Sequence, residues 1–226
     1  MSTKIKMVVF DMAGTTVNED NIVYKTVQKA INEAGFNFTL EEVLAQGAGK
    51  EKLQAIKSVL AIYSVNVDEH LAEEIYINFA RLLTEAYQNN PLYPQPNATE
   101  LFAALTERNI LRVLNTGYSR QVAQLIIDKL GWQGQQYDAL ITANDVPGGR
   151  PEPDMIIFAA EKFNISPSEI IKVGDSIIDI EEGKNAGCAL SIGITTGAHT
   201  ADQMQIAKPD YIINNLMELL PIIDRY

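Results

Sequence analysis

Short apolar runs alternate with amphipathic stretches along most of this chain. Runs rich in β-branched and other apolar residues fall at 6–10, 110–114, 139–142, 170–173, 190–194 and 211–213, with the length and composition of buried strands. Between the later runs, apolar residues recur every three to four positions at 99–108, 119–130, 154–163, 178–186 and 200–206, the period of helices with one buried face. Strands separated by single helices predict an α/β fold built on a doubly wound, parallel, Rossmann-like sheet. One block breaks this alternation. From about residue 21 to 88 only helical periodicity is present, at 23–34, 40–44, 50–60 and 70–87, which predicts an all-helical cap inserted after the first strand. Pro91, Pro94 and Pro96 mark the return to the sheet, because prolines break helices and stiffen linkers. The expected division is a core of 1–17 and 91–226 with a helical cap of 18–90.

The strand ends carry the chemistry. Lys6–Phe10 runs into Asp11 and the small turn Met12-Ala13-Gly14-Thr15-Thr16. Alone, Asp11 reads equally as a cap for the next helix or as a ligand group at the carboxyl edge of an open α/β sheet. The other strand ends tip the balance toward the second reading. The second sheet strand ends in Asn115-Thr116-Gly117-Tyr118-Ser119-Arg120, the third leads to Asp145-Val146-Pro147-Gly148-Gly149-Arg150-Pro151, and the fourth to Gly174-Asp175-Ser176-Ile177-Ile178-Asp179. Carboxyl ends of parallel strands open on one edge, so these loops should converge. Carboxylates packed together repel unless a cation neutralises them. An all-oxygen donor set suits Mg²⁺, which keeps several waters and is shared with substrate phosphate.

Composition narrows the class. The chain has 226 residues, 46% of them hydrophobic, enough for one substantial core and a smaller second one. Its net charge of −11, with no long basic run, argues against nucleic acid as a partner. Such a chain handles an anionic substrate only through a metal or a few placed Lys or Arg. Cys188 is the single cysteine, so no intramolecular disulfide forms and a reducing compartment is expected. The first apolar run is too short for a secretory leader, and no stretch approaches the roughly 20 apolar residues of a membrane span. A cytoplasmic location without a membrane partner is expected.

With these motifs in view, the chain resembles the haloacid dehalogenase (HAD) superfamily of hydrolases with a helical cap after the first strand, and within it the phosphonatase (phosphonoacetaldehyde hydrolase) family. Asp11-Met12-Ala13-Gly14-Thr15, Thr116-Gly117-Tyr118-Ser119-Arg120, Asp145 to Pro151, Lys172-Val173-Gly174-Asp175 and Glu182 to Gly187 all match. The resemblance implies that Asp11 attacks phosphorus to form an aspartyl-phosphate. It implies Mg²⁺ held by Asp11, the carbonyl of Ala13 and Asp175, with Asp179 in support. Thr116 and Arg150 would orient and neutralise the phosphoryl group, bordered by Met12, Gly14, Gly117 and Tyr118, though Tyr118 equally suits packing. The substrate implied is a small phosphorylated or phosphonate metabolite, and a homodimer through the cap is implied as well.

Ala13 divides the functional readings. Phosphatases of this superfamily carry a second aspartate there, which protonates the leaving group and later activates water; alanine does neither. The phosphonatase answer is a cap lysine that forms a Schiff base with the substrate aldehyde. Gln46-Gly47-Ala48-Gly49-Lys50 resembles that family's glycine, two residues, lysine pattern at a cap helix start. Lys50 is then either an imine-forming amine or a cation for the substrate phosphate. Two positions depart from the family: Leu53 stands where it has a histidine, and Gln46 where it has a methionine. Lys52 and Lys57 read as solvated, and His70 and His199 as structural or solvated. Three functions result: a P–C bond hydrolase acting on a phosphonate aldehyde, a phosphate monoester phosphatase, or a non-catalytic phosphometabolite-binding relative. Joint retention of Asp11, Thr116, Arg150, Asp175 and Asp179 argues against the third.

Overall fold

A computed structural model describes residues 4–48, 50–62 and 68–226. The chain divides into two compact units, one of Leu92–Tyr226 together with the segment up to Asn18, the other of Glu19–Pro91.

In chain order the elements are β1 (Met7–Asp11), β2 (Val17–Asn18), α1 (Ile22–Glu33), α2 (Leu40–Gly47), α3 (Lys52–Leu60), α4 (Glu69–Asn89) and β3 (Tyr93–Pro94). There follow α5 (Ala98–Glu107), β4 (Leu111–Thr116), α6 (Arg120–Leu130), β5 (Ala139–Thr142), α7 (Asp154–Phe163), β6 (Ile170–Gly174), α8 (Ile177–Asn185), β7 (Leu190–Ile194), α9 (Ala201–Met204), β8 (Tyr211–Ile213) and α10 (Leu219–Ile223).

The larger unit is built on a six-stranded sheet in the order β5-β4-β1-β6-β7-β8, every pair parallel. Helices cross over between successive strands, so both faces are covered and the strands are apolar throughout: all five residues of β1, β6 and β7 are buried. Beneath the sheet, Met7, Val9, Val113, Ile141, Met155, Ile156 and Ile170 form one apolar cluster, with Cys188 packed on it. Burial pushes the Cys188 thiol up to about 12, which disfavours the reactive thiolate and suits a packing role. Trp132 sits at the end of α6 with its ring edge-on to Phe102 at 5.4 Å. The chain leaves and re-enters this unit through the short antiparallel pair β2–β3, with Val17 opposite Pro94 and Asn18 opposite Tyr93.

The smaller unit is all helical among its described residues. Its core comes from the inner faces of α1, α3 and α4, including Val27, Ile31, Ile56, Val59, Ile75 and Phe79. Helix starts are capped by side chains: Thr39 and Glu42 form a reciprocal capping box at α2, and Asp68 caps α4. Two expectations need correction here. The helix predicted from residue 50 begins at Lys52, because the Glu51 carboxylate caps the Leu53 and Gln54 amides. Gln46 and Gly47 accordingly close α2 and do not open α3, and Gly49 lies outside the described residues. Lys52 and Lys57 are not free in solvent either: Lys52 stacks over the Tyr24 ring at 5.2 Å and Lys57 pairs with Glu69. No helix among the described residues is long and apolar enough to cross a membrane.

Candidate active site

Four loops at the carboxyl edge of the central strands bring the predicted core residues together. Asp11 is the last residue of β1, 5% exposed. After it the chain folds back in a tight turn, with the Met12 carbonyl accepting from the amides of Thr15, Thr16 and Val17 at 3.2, 2.9 and 2.8 Å. Thr16 adds a hydroxyl hydrogen bond of 3.0 Å to the Asp11 carbonyl. Met12 is fully buried, and Ala13 is half-buried. Gly14 has φ +84°, and a Cβ on it would stand 2.3 Å from Asp175 Oδ2. The turn therefore requires glycine for both its conformation and the close approach of Asp175.

Asp175 follows β6, and its Oδ2 accepts from the Ala198 amide at 2.6 Å. Asp179 lies in the first turn of α8, whose N-cap is Ser176; the Ser176 hydroxyl donates to Asp179 Oδ2 at 2.5 Å. One carboxylate oxygen from each of Asp11, Asp175 and Asp179 lies within 4.8 Å of the others, and all three residues are buried. The group has the oxygen-only chemistry of a hard-cation site, and this triad is able to bind a metal ion.

Arg150 reaches the triad from the loop after β5. Its guanidinium donates to Asp11 Oδ1 at 2.8 Å and also pairs with Asp179 Oδ1. Thr116 ends β4, 2% exposed, and its hydroxyl accepts from the Tyr118 amide at 3.2 Å. A Cβ on Gly117 would lie 3.8 Å from the Arg150 guanidinium, so the β4 loop and the arginine adjoin. Tyr118 is buried, 7% exposed.

The electrostatics are lopsided. Burial raises the Asp11 carboxyl above its ordinary range, against the pull of Arg150. Burial, reinforced by the charges of Asp11 and Asp179, raises Asp175 further still. Burial opposes ionisation of Asp179 as well, but Arg150 and then Lys172 hold it down at about 2. Desolvation thus dominates at two carboxylates and ion pairing at the third.

Three participants escaped the sequence reading. Lys172, inside β6, is fully buried and pairs with Asp179 and Glu182, each at 3.0 Å. Asn115, the residue before Thr116, accepts from Lys172 at 2.6 Å. The signal was a lone lysine in the apolar run Ile170-Ile171-Lys172-Val173, since a lysine on a covered strand needs buried acids to face. Asp145 does not join the cluster. It caps Thr142 and pairs with Arg120, whose side chain is 50% exposed. His199 is half-buried and structural, its Nδ1 accepting from the Ile177 amide at 3.0 Å. His70 is exposed beside Glu74 on α4.

Lys50 belongs to the helical unit, two residues before α3 begins. Its Nζ donates to Ser58 Oγ at 2.9 Å, and among the described residues it makes no ion pair. Leu53, one turn on, is half-buried.

Comparison with known proteins agrees with this architecture. Residues 5–187 match the model of the haloacid dehalogenase-like hydrolases, and the chain belongs to that family and is a hydrolase of it. It is 31% identical to a phosphonoacetaldehyde hydrolase of Bacillus cereus over 86% of this chain and 77% of that one. A phosphonoacetaldehyde hydrolase of Lactiplantibacillus plantarum is 29% identical, over 98% and 96%. Among solved structures, a phosphonoacetaldehyde hydrolase-like protein from Oleispira antarctica superposes with a TM-score of 0.84 at 21% identity, covering 98% of this chain and 92% of its own. A structure described as a predicted phosphoglycolate phosphatase from Haemophilus somnus gives 0.82 at 22%, over 98% and 99%. Both structural likenesses speak to the fold.

Proposed function

We propose that the protein is a Mg²⁺-dependent hydrolase that cleaves the P–C bond of a small phosphonate aldehyde such as phosphonoacetaldehyde, with the helical unit as its substrate-selecting cap. Asp11 is the nucleophile and takes the phosphoryl group as an aspartyl-phosphate. Arg150, bonded to Asp11 Oδ1 at 2.8 Å, would neutralise the phosphoryl oxygens, and the Thr116 hydroxyl would orient them. Asp11, Asp175 and Asp179, with the Ala13 carbonyl, would hold Mg²⁺, which when bound offsets the charge of phosphoryl group and carboxylates. The buried cluster fits a divalent ion: four carboxylates (Asp11, Asp175, Asp179, Glu182) against two cations (Arg150, Lys172) leave two negative charges unmatched.

The observation that carries the substrate class is Ala13. Two residues past the nucleophile a methyl group stands where a phosphatase has its acid, so the leaving group must need no proton at that point. An imine between Lys50 and the aldehyde meets that requirement, since the carbon then departs as an enamine and is released by hydrolysis. Lys50 bonds a neutral hydroxyl, so no carboxylate has to be displaced for it to condense with a carbonyl. The names of the 29–31% identical relatives point the same way.

Leu53, which cannot relay a proton, supports a second reading: hydrolysis of a small phosphate monoester, with Lys50 as a cap cation. Borohydride separates the two. Added with phosphonoacetaldehyde, it should reduce the imine to a stable adduct that mass spectrometry assigns to Lys50, with loss of activity. Lys50→Arg, which keeps the charge but does not condense with carbonyls, should be inactive. An untrapped enzyme that tolerates arginine at position 50 and hydrolyses a phosphate ester would establish the phosphatase reading instead.

A further inference from the structure

The buried lysine behind the acidic triad enters the charge balance above but has no role of its own in it. Lys172 has three ammonium hydrogens and three acceptors: Asn115 Oδ1 at 2.6 Å, Asp179 Oδ1 at 3.0 Å and Glu182 Oε2 at 3.0 Å. Asn115 turns its own amide to Glu182, donating to Oε1 at 2.8 Å and Oε2 at 3.0 Å. The lysine, the glutamate and the asparagine side chain thus form a closed network, and a buried ionic network persists only when its members are so paired.

The sequence builds this arrangement from three elements. Asp179 and Glu182 are three residues apart on α8, hence on one face. That face lies against β6 because residue 183 is glycine: a Cβ there would stand 2.4 Å from Ser191 Oγ and 2.8 Å from Lys172 Cβ. Residue 174 is glycine for a similar reason, since a Cβ there would meet the Asp179 side chain at 2.2 Å.

Asp179 Oδ1 consequently bonds two cations of different kinds. Arg150 keeps 15% of its side chain exposed and also holds Asp11. Lys172 has no exposure and no substrate-facing role. Under the proposed function, on which this inference rests, Arg150 must engage the incoming phosphoryl group and so surrender part of its hold on Asp179. With no other cation, that would leave a buried carboxylate short of a partner and free to rotate away from a metal. We propose that Lys172, braced by Glu182 and Asn115, is the standing counter-ion of Asp179, a positioning residue that keeps this carboxylate aimed at the metal while Arg150 turns to substrate.

The test is Mn²⁺ binding, followed by electron paramagnetic resonance on the full chain with saturating sulfate, an unreactive stand-in for the phosphoryl group that engages Arg150. Lys172→Met alone strands Glu182 and should lower stability sharply. The decisive variant is therefore Lys172→Met with Glu182→Gln, which removes one charge of each sign. The expected result is a folded protein with Mn²⁺ affinity about 10- to 100-fold weaker, the range for loss of a group that orients a metal ligand. A folded double variant with wild-type Mn²⁺ affinity overturns the proposal. So does one that does not fold, since the network would then serve the fold and not the aim of Asp179. Failure of the wild-type protein to bind Mn²⁺ would instead strike the metal reading beneath it, and would be seen before any substitution is made.

Discussion

Asp175 and Asp179 stand four positions apart and behave in opposite ways because of what each faces. Burial and two neighbouring carboxylates drive Asp175 up, while Arg150 and Lys172 hold Asp179 at about 2. The acids and Arg150 could be found in the sequence because each follows a strand and adjoins a turn. Lys172 and Glu182 could not be placed, because a strand pattern does not show which helix face will cover it. Arg150 is the most consequential cation: it is bonded to the proposed nucleophile and borders the Thr116 loop. Arg150→Ala should cost about 2–4 kcal/mol of transition-state stabilisation, read as kcat/KM for phosphate release. Arg150→Lys should keep part of the activity. An Arg150→Ala enzyme with wild-type kinetics would show that this loop does not serve the phosphoryl group.

Elements were legible where the period was long and unbroken, as in α1, α4 and β1. The start of α3 was not, because Glu51 caps it from a position that reads as one more helical residue. A second element-scale feature is Glu19, which ties the N-terminus of α1 to the end of α4: its Oε2 accepts from the Val23 amide at 2.9 Å and from the Tyr87 hydroxyl at 3.0 Å. Burial raises its pKa from 4.5 to about 7 despite those bonds and the nearby Lys52 and Lys25. The folded chain therefore binds this proton more tightly than the unfolded one. The stabilisation is fully present below the unfolded pKa of 4.5 and is lost as pH rises through about 7. At one pKa unit per 1.36 kcal/mol the span is about 3 kcal/mol. Glu19→Gln stays neutral and keeps an acceptor for both donors. Its melting temperature should exceed wild type above pH 7 and the difference should shrink toward pH 5. A difference that does not change with pH would contradict the burial argument.

At the scale of the whole molecule, the alternation of strands and helices pointed to an open parallel sheet, but that alternation is compatible with many strand orders. The order β5-β4-β1-β6-β7-β8 puts the first strand in the middle, with the chain winding outward on either side. The switch in winding direction beside β1 is where open α/β sheets bind ligands. It is also where Asp11, Thr116, Asp175 and Asp179 gather from three adjacent strands, with Arg150 entering from the fourth. On a chain of net charge −11, the proposed phosphorylated substrate would rely on Arg150, Lys172 and a metal to offset the acids gathered there. The most direct test of the account is phosphate release from phosphonoacetaldehyde in the presence of Mg²⁺, measured for the wild-type protein and for Asp11→Asn. The account predicts turnover by the first and none by the second, with the fold of both intact by circular dichroism. Release by Asp11→Asn at a comparable rate, or none by the folded wild-type protein, would contradict it.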